Sequence, residues 1–160
     1  MNIHYRLIEA RDNQKLASVI RKALDDYGIN SPGTVYTDPT TDALFELFRE
    51  EKSIYWIAEH NNEIIGGCGI YPTPGLPEGC GELVKLYLNK DFRGKGIGKE
   101  LMQKSILSAK ELGYTSLYLE SLPQLNDAVH LYKKVGFKEI DCRLGESGHF
   151  ACNLWMTMGI

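Results

Sequence analysis

The stretch Arg93-Gly94-Lys95-Gly96-Ile97-Gly98 constrains this chain more than any other. It follows a strand-like run, Glu82 to Leu88, and opens a helix-like run, Lys99 to Leu112. Alternate glycines strip side chains from a strand-to-helix turn. Backbone N–H groups can then approach an anion closely, with the positive end of the helix dipole behind them. A diphosphate suits such a turn, and the spacing narrows which one. A P-loop requires Gly, four residues, then Gly-Lys-Ser/Thr. Here Arg93 stands at the first glycine and Glu100 at the hydroxyl. A dinucleotide loop requires G-x-G-x-x-G with an early βαβ unit, and Lys99 occupies the third glycine position. The pattern left is Arg-x-x-Gly-x-Gly.

The surrounding periodicities set the turn in a mixed α/β order. Ile3 to Ile8 alternates apolar and polar residues, which predicts a strand. Asp12 can cap a helix with Leu16, Val19, Ile20, Ala23, Leu24 and Tyr27 on one face, ended by Gly28. Ile29 to Pro39 reads as a loop, and Thr40 or Thr41 as the cap of a second helix with Leu44, Phe45 and Phe48. Ile54 to Glu59 and Glu63 to Tyr71, joined by Asn61-Asn62, predict a hairpin. After a Pro/Gly-rich connection come the strand Glu82–Leu88, the helix that ends at Gly113, and a strand over Thr115–Leu119. Asn126 can cap a short helix ended by Gly136, and Phe137–Cys142 and Phe150–Met158 read as strands around a Gly/Ser turn. The order is β-α-α-β-β-β-α-β-α-β-β. A helical crossover makes Glu82–Leu88 and Thr115–Leu119 parallel neighbours.

Bulk properties exclude several classes. The length of 160 residues fits one domain, 1–160. A net charge of −3 with mixed signs argues against nucleic acid as a partner. No apolar run reaches membrane-spanning length, and Met1 to Ala10 lacks the regions of a signal peptide, so the expected location is the cytoplasm. Cys68, Cys80, Cys142 and Cys152 are scattered without metal-ligand spacing, so no metal is expected.

Two separated segments resemble the GNAT N-acetyltransferases. One is Leu86-Tyr87-Leu88 followed by Arg93-Gly94-Lys95-Gly96-Ile97-Gly98; the other is Asn126-Asp127-Ala128-Val129-His130-Leu131-Tyr132, closing with Gly136-Phe137. The resemblance covers nearly the whole chain. It implies a single α/β domain, a mixed twisted sheet flanked by helices, and acetyl-CoA as the acyl donor. In the family, the strand ahead of the loop splays from its neighbour and its free backbone groups pair with the pantetheine arm. The loop amides hold the pyrophosphate. On that basis Leu86, Tyr87, Leu88, Arg93, Gly94, Lys95, Gly96, Ile97, Gly98, Lys99, Asn126 and Tyr132 are implied cofactor-binding residues. Dimers are common in the family, which leaves a homodimer open.

Acyl transfer to an amine requires a free lone pair on the nitrogen, although aliphatic amines titrate near pH 10. It also needs donors for the oxyanion and a proton for the leaving thiolate. Tyr132 suits the apolar face of its helix, and the resemblance instead makes it the acid beside the sulfur. Glu82 reads equally as a solvated strand-end carboxylate or as the base, the role a Glu at the corresponding place has in the histone-acetyltransferase branch. Toward the acceptor, the resemblance singles out the segments holding Tyr36 and His149, with Tyr71 on a neighbouring strand. Asp38 and Glu146 could hold a cationic amine or be solvated loop charges. The expected activity is transfer of an acetyl group to a primary amine of a small molecule or amino acid by direct attack in a ternary complex. The alternatives are a non-catalytic acyl-CoA sensor and a protein or peptide amine acetyltransferase.

Overall fold

The computed structural model describes residues 1–160. In chain order the elements are β1 (His4–Leu7), α1 (Asn13–Asp25), α2 (Leu44–Leu47), β2 (Ile54–His60), β3 (Glu63–Tyr71), β4 (Cys80–Leu88), α3 (Ile97–Glu111), β5 (Ser116–Ser121), α4 (Asn126–Val135), β6 (Lys138–Ile140) and β7 (Leu154–Gly159). This is the order read from the sequence. The seven strands form one sheet in the order β1-β2-β3-β4-β5-β7-β6, antiparallel except for β4 against β5.

Period-two alternation sends neighbouring side chains to opposite faces. Along β2, Tyr55 and Ile57 pack with Leu16, Ile20 and Leu24 of α1, while Ala58 packs with Leu101 and Met102 of α3. Leu16, Ile20, Leu101 and Met102 are fully buried. Burying each such side chain contributes about 1.5–3 kcal/mol. The sheet is thereby held between α1 and α2 on one face and α3 and α4 on the other.

The feature that makes a site is a break between β4 and β5. They pair only from Cys80 to Glu82 on β4. Beyond that point the β3–β4 register shifts between Gly67 and Gly69, and Lys85 takes a left-handed backbone, φ 54°. An extra residue of this kind bends a strand and increases its twist, which turns β4 away from β5. Tyr55 secures the bend: its buried hydroxyl donates to the Lys85 carbonyl at 2.8 Å. A Cβ on Gly67 would stand 2.5 Å from that ring, so glycine there is a condition of the Tyr55 contact.

Three local expectations are revised. The second helix is a single turn, preceded by a 3-10 turn over Pro39–Asp42. Asp38 is the cap of that turn, accepting from the Thr40 N–H, and the Thr41 hydroxyl is spent on the Val35 carbonyl at 2.7 Å. Asn126 is the first residue of α4 and makes no side-chain cap. The last two strands are shorter than their periodicity suggests, and residues 141–153 form an irregular strap over the open end of the sheet. Arg143 holds the strap in shape by donating to the carbonyls of His149, Phe150 and Cys152.

Candidate active site

The opening of β4 from β5 joins three spaces. The outermost is a cleft of about 380 Å³ between β4, the glycine turn and α4, walled by Leu86, Tyr87, Leu88, Ala128 and Leu131. Leu86, Tyr87 and Leu125 also border a narrow central cavity of about 50 Å³, which Glu82 and Tyr132 reach as well. Glu82, Val84, Lys85 and His149 separate that cavity from a pocket of about 180 Å³ near Tyr71 and Thr73.

At the cleft mouth, Gly94 and Gly96 have φ of 73° and 81°, and a Cβ on either would meet nothing within 4 Å. Backbone conformation explains both glycines, and the space beside them is free for a ligand. Gly96 is the N-cap of α3, and the first helical N–H with an intrahelical acceptor is that of Glu100. The N–H groups from Gly94 to Lys99 therefore have no backbone acceptor. Consecutive free amides at the positive end of a helix are an anion site. Arg93 clamps the turn: Nε donates to the Leu88 carbonyl at 3.1 Å, the guanidinium lies 4.8 Å from the Tyr27 ring centre, and it pairs with Asp26 at 3.3 Å. Lys95 reaches back to the Asp91 carbonyl, and the Ile97 side chain is buried in the core beneath the turn. Lys99 borders the cleft; Asn126 is exposed and forms no part of its wall, whereas Asp127 does.

The strand β4, the glycine turn and α4 that build this cleft all fall inside one stretch with known relatives. The family described as Acetyltransferase (GNAT) matches residues 17–137. The chain is a member of the GNAT acetyltransferase family. It is 36% identical over 152 residues to the uncharacterised N-acetyltransferase YjgM of Escherichia coli, covering 94% of this chain and 91% of that one. It is 30% identical to human N-acetyltransferase 8 over 68% of this chain, and it spans about half the length of that relative, 51%. Among solved structures, a GNAT acetyltransferase from Staphylococcus aureus superposes with a TM-score of 0.84 at 20% identity, over 99% of both chains. PaiA N-acetyltransferase from Thermoplasma acidophilum, solved with coenzyme A, gives 0.76 at 19% over 100% of both. Family membership makes this protein an acyltransferase with acetyl-CoA as its donor.

In this acetyltransferase Glu82 is buried, 3% exposed. Burial pushes its carboxyl up to about 7, with the charge of Glu120 adding to the rise. The Thr73 hydroxyl, donating at 2.5 Å, and the cations Lys85 and Arg143 act in the opposite direction. A carboxyl near 7 is matched to proton transfer at neutral pH. Tyr132 is also buried, edge-on to Phe137 with centroids 6.0 Å apart. Burial raises its phenol above the ordinary tyrosine value, so it stays protonated as a donor.

Of the acceptor-side residues, Tyr71 and His149 line the inner pocket. Tyr36 does not: Arg21 stacks 6.0 Å from its ring, and its hydroxyl is 3.4 Å from Asp25. Asp38 is engaged rather than solvated, 2.7 Å from His149 Nε2 and accepting from both the N–H and the hydroxyl of Thr40. That histidine, with Thr40, holds the Asp38 carboxyl below the usual range. Glu146 is exposed at the pocket rim.

Sequence reasoning missed Lys85, Glu120 and Cys152. Lys85 and Glu120 were visible as lone charges inside the apolar runs Leu83–Leu88 and Leu117–Ser121, positions where a buried charge needs a reason. Glu120 accepts from the hydroxyls of Tyr118 and Ser147 and faces Arg143 at 3.5 Å, tying the strap to β5. Cys152 reaches the central cavity through the strap, and burial pushes its thiol up to about 12.

Proposed function

We propose that residues 1–160 act as one catalytic domain that transfers an acetyl group from acetyl-CoA to a primary amine of a small molecule or amino acid, by direct attack in a ternary complex. The observation that carries this reading is the placement of Glu82 and Tyr132 on one cavity, between an anion-ready cleft and a polar inner pocket. The free amides from Gly94 to Lys99 suit a diphosphate, and the unpaired edge of β4 past Glu82 suits an amide-bearing arm. Bound there, acetyl-CoA supplies an activated acyl group on a thiol leaving group.

Glu82 receives the proton of the acceptor ammonium. The gap between an amine near 10 and a carboxyl near 7 is about three pH units, or about 4 kcal/mol. Desolvation in the cavity and the neighbouring Lys85 cation both lower the amine's pKa and narrow that gap. The amine attacks the thioester carbonyl. As the C–S bond breaks, Tyr132 donates its hydroxyl proton to the leaving sulfur and is reprotonated by the second proton that the nitrogen loses in becoming an amide. Cys152, held as a thiol, is a poor nucleophile, which favours direct attack over an acyl-cysteine. The strap and the 180 Å³ inner pocket favour a small acceptor over a folded protein surface.

Coenzyme A release with a panel of amines tests the assignment in wild type and Tyr132→Phe. Wild type should turn over at least one small amine, and Tyr132→Phe should lower kcat about 100-fold or more with unchanged acetyl-CoA affinity. Binding of acetyl-CoA without release for any amine would leave a sensor module. Equal kcat in the variant would remove Tyr132 as the acid.

A further inference from the structure

Lys85 stands three residues after Glu82 on β4. In a regular strand that odd spacing would put the two on opposite faces. The left-handed backbone at Lys85 and the register shift beside it cancel the alternation, and both side chains line the same two cavities. Lys85 is 9% exposed, yet no carboxylate oxygen lies within 4.0 Å of its ammonium. The carboxylates around it are engaged elsewhere, Asp38 with His149 and Thr40, Glu82 with Thr73. Cys152, the third group whose charge would act on Lys85, is kept neutral, and His149, which lines both cavities with Lys85, faces Asp38. A buried ammonium with no partner costs several kcal/mol unless something neutralises it, and backbone strain at a non-glycine residue adds to that cost. Burial lowers the Lys85 pKa, while the fields of Asp38 and Glu82 oppose the change.

We propose that Lys85 anchors a carboxylate on the acceptor, so that this acetyltransferase takes a free amino acid. The amine then faces Glu82, and an apolar side chain meets Leu47, Phe48 and Tyr71, which line the same inner pocket. The pocket's 180 Å³ suits a molecule of that size. A carboxylate two bonds from the amine matches a cation and a base that line one cavity from a single strand. This inference rests on the amine-acetylation reading above and narrows it.

The test compares phenylalanine, phenylalanine amide and phenethylamine, which share an amine and a ring and differ in the carboxylate. Wild type should prefer phenylalanine in kcat/KM by about 10- to 100-fold, the worth of one charge-assisted bond. Lys85→Met should bring the three substrates to within about threefold of one another, and Lys85→Arg, which keeps the cation, should restore the preference. Thermal melting of each variant checks the fold, and the ratio within one variant cancels any general loss of activity. Turnover of all three amines without preference in wild type would overturn the inference and leave the acetyltransferase reading standing. Calorimetry of phenylalanine with the coenzyme A-bound protein separates the other failure. Binding to wild type but not to Lys85→Met, with no turnover of any amine, would uphold the carboxylate site and sink the catalytic reading.

Discussion

Glu82→Gln tests the electrostatics of the site through stability as well as rate. Folding raises the Glu82 carboxyl from 4.5 to about 7, mainly by burying it. The folded state then binds the proton more tightly than the unfolded chain does. The stability from this group is fully present below pH 4.5, is lost as pH rises toward 7, and does not return above that. The full loss is about 3 kcal/mol. Glutamine keeps the shape and can still accept from Thr73, but it has no charge to bury. Urea denaturation of both proteins at pH 5 and pH 8 isolates the effect, because other titrating groups cancel in the difference. The variant should gain about 2 to 3 kcal/mol on wild type between the two conditions. The same group should make wild-type kcat/KM rise with pH, half-maximal near 7 and level above about 8, and the variant should lose that limb. An unchanged stability difference at the two pH values would refute both the raised carboxyl and its use as the base.

Two further substitutions probe the frame around the site. Gly96→Asp places a negative charge among the free amides at the start of α3 and forces a side chain into a left-handed backbone, φ 81°. The acetyl-CoA dissociation constant from calorimetry should rise at least about 100-fold, while Gly96→Ala reports the cost of backbone strain alone, about 1 kcal/mol. Unchanged affinity in the aspartate variant would remove the phosphate role of the turn. Tyr55→Phe deletes the hydroxyl that supports the Lys85 carbonyl, and should cost about 1–3 kcal/mol in chemical denaturation. A neutral result would mean that the bend in β4 holds without it.

The elements that periodicity makes explicit were legible. Alternation along Ile54–Tyr71 and a helical face from Leu101 to Ala109 describe local order, which short stretches of side chains dictate on their own. The positions of Glu82 on β4 and Tyr132 on α4 followed from the element order, but spacing alone gave neither a role, and only the family resemblance set them apart from a strand-end carboxylate and a core tyrosine. The Asp38–His149 contact was not legible, since it spans 111 residues and depends on where two irregular loops meet. Tyr36 shows the reverse case: its loop is near the site, but Arg21 and Asp25 hold the ring elsewhere. The second helix was overestimated because Leu44, Phe45 and Phe48 have helical spacing, while Pro39 and the hydroxyls of Thr40 and Thr41 favour a tight turn.

By itself, the sequence determined the element order, the glycine turn at the start of a helix and the family that shares them, because spacing and backbone freedom are local properties. Tertiary structure alone decided the face on which Lys85 lies, how deeply Glu82 is buried and which strap closes the pocket. Each depends on the bend of one strand and on partners far away in the chain, and burial is what converts an ordinary carboxyl into one that titrates near neutrality.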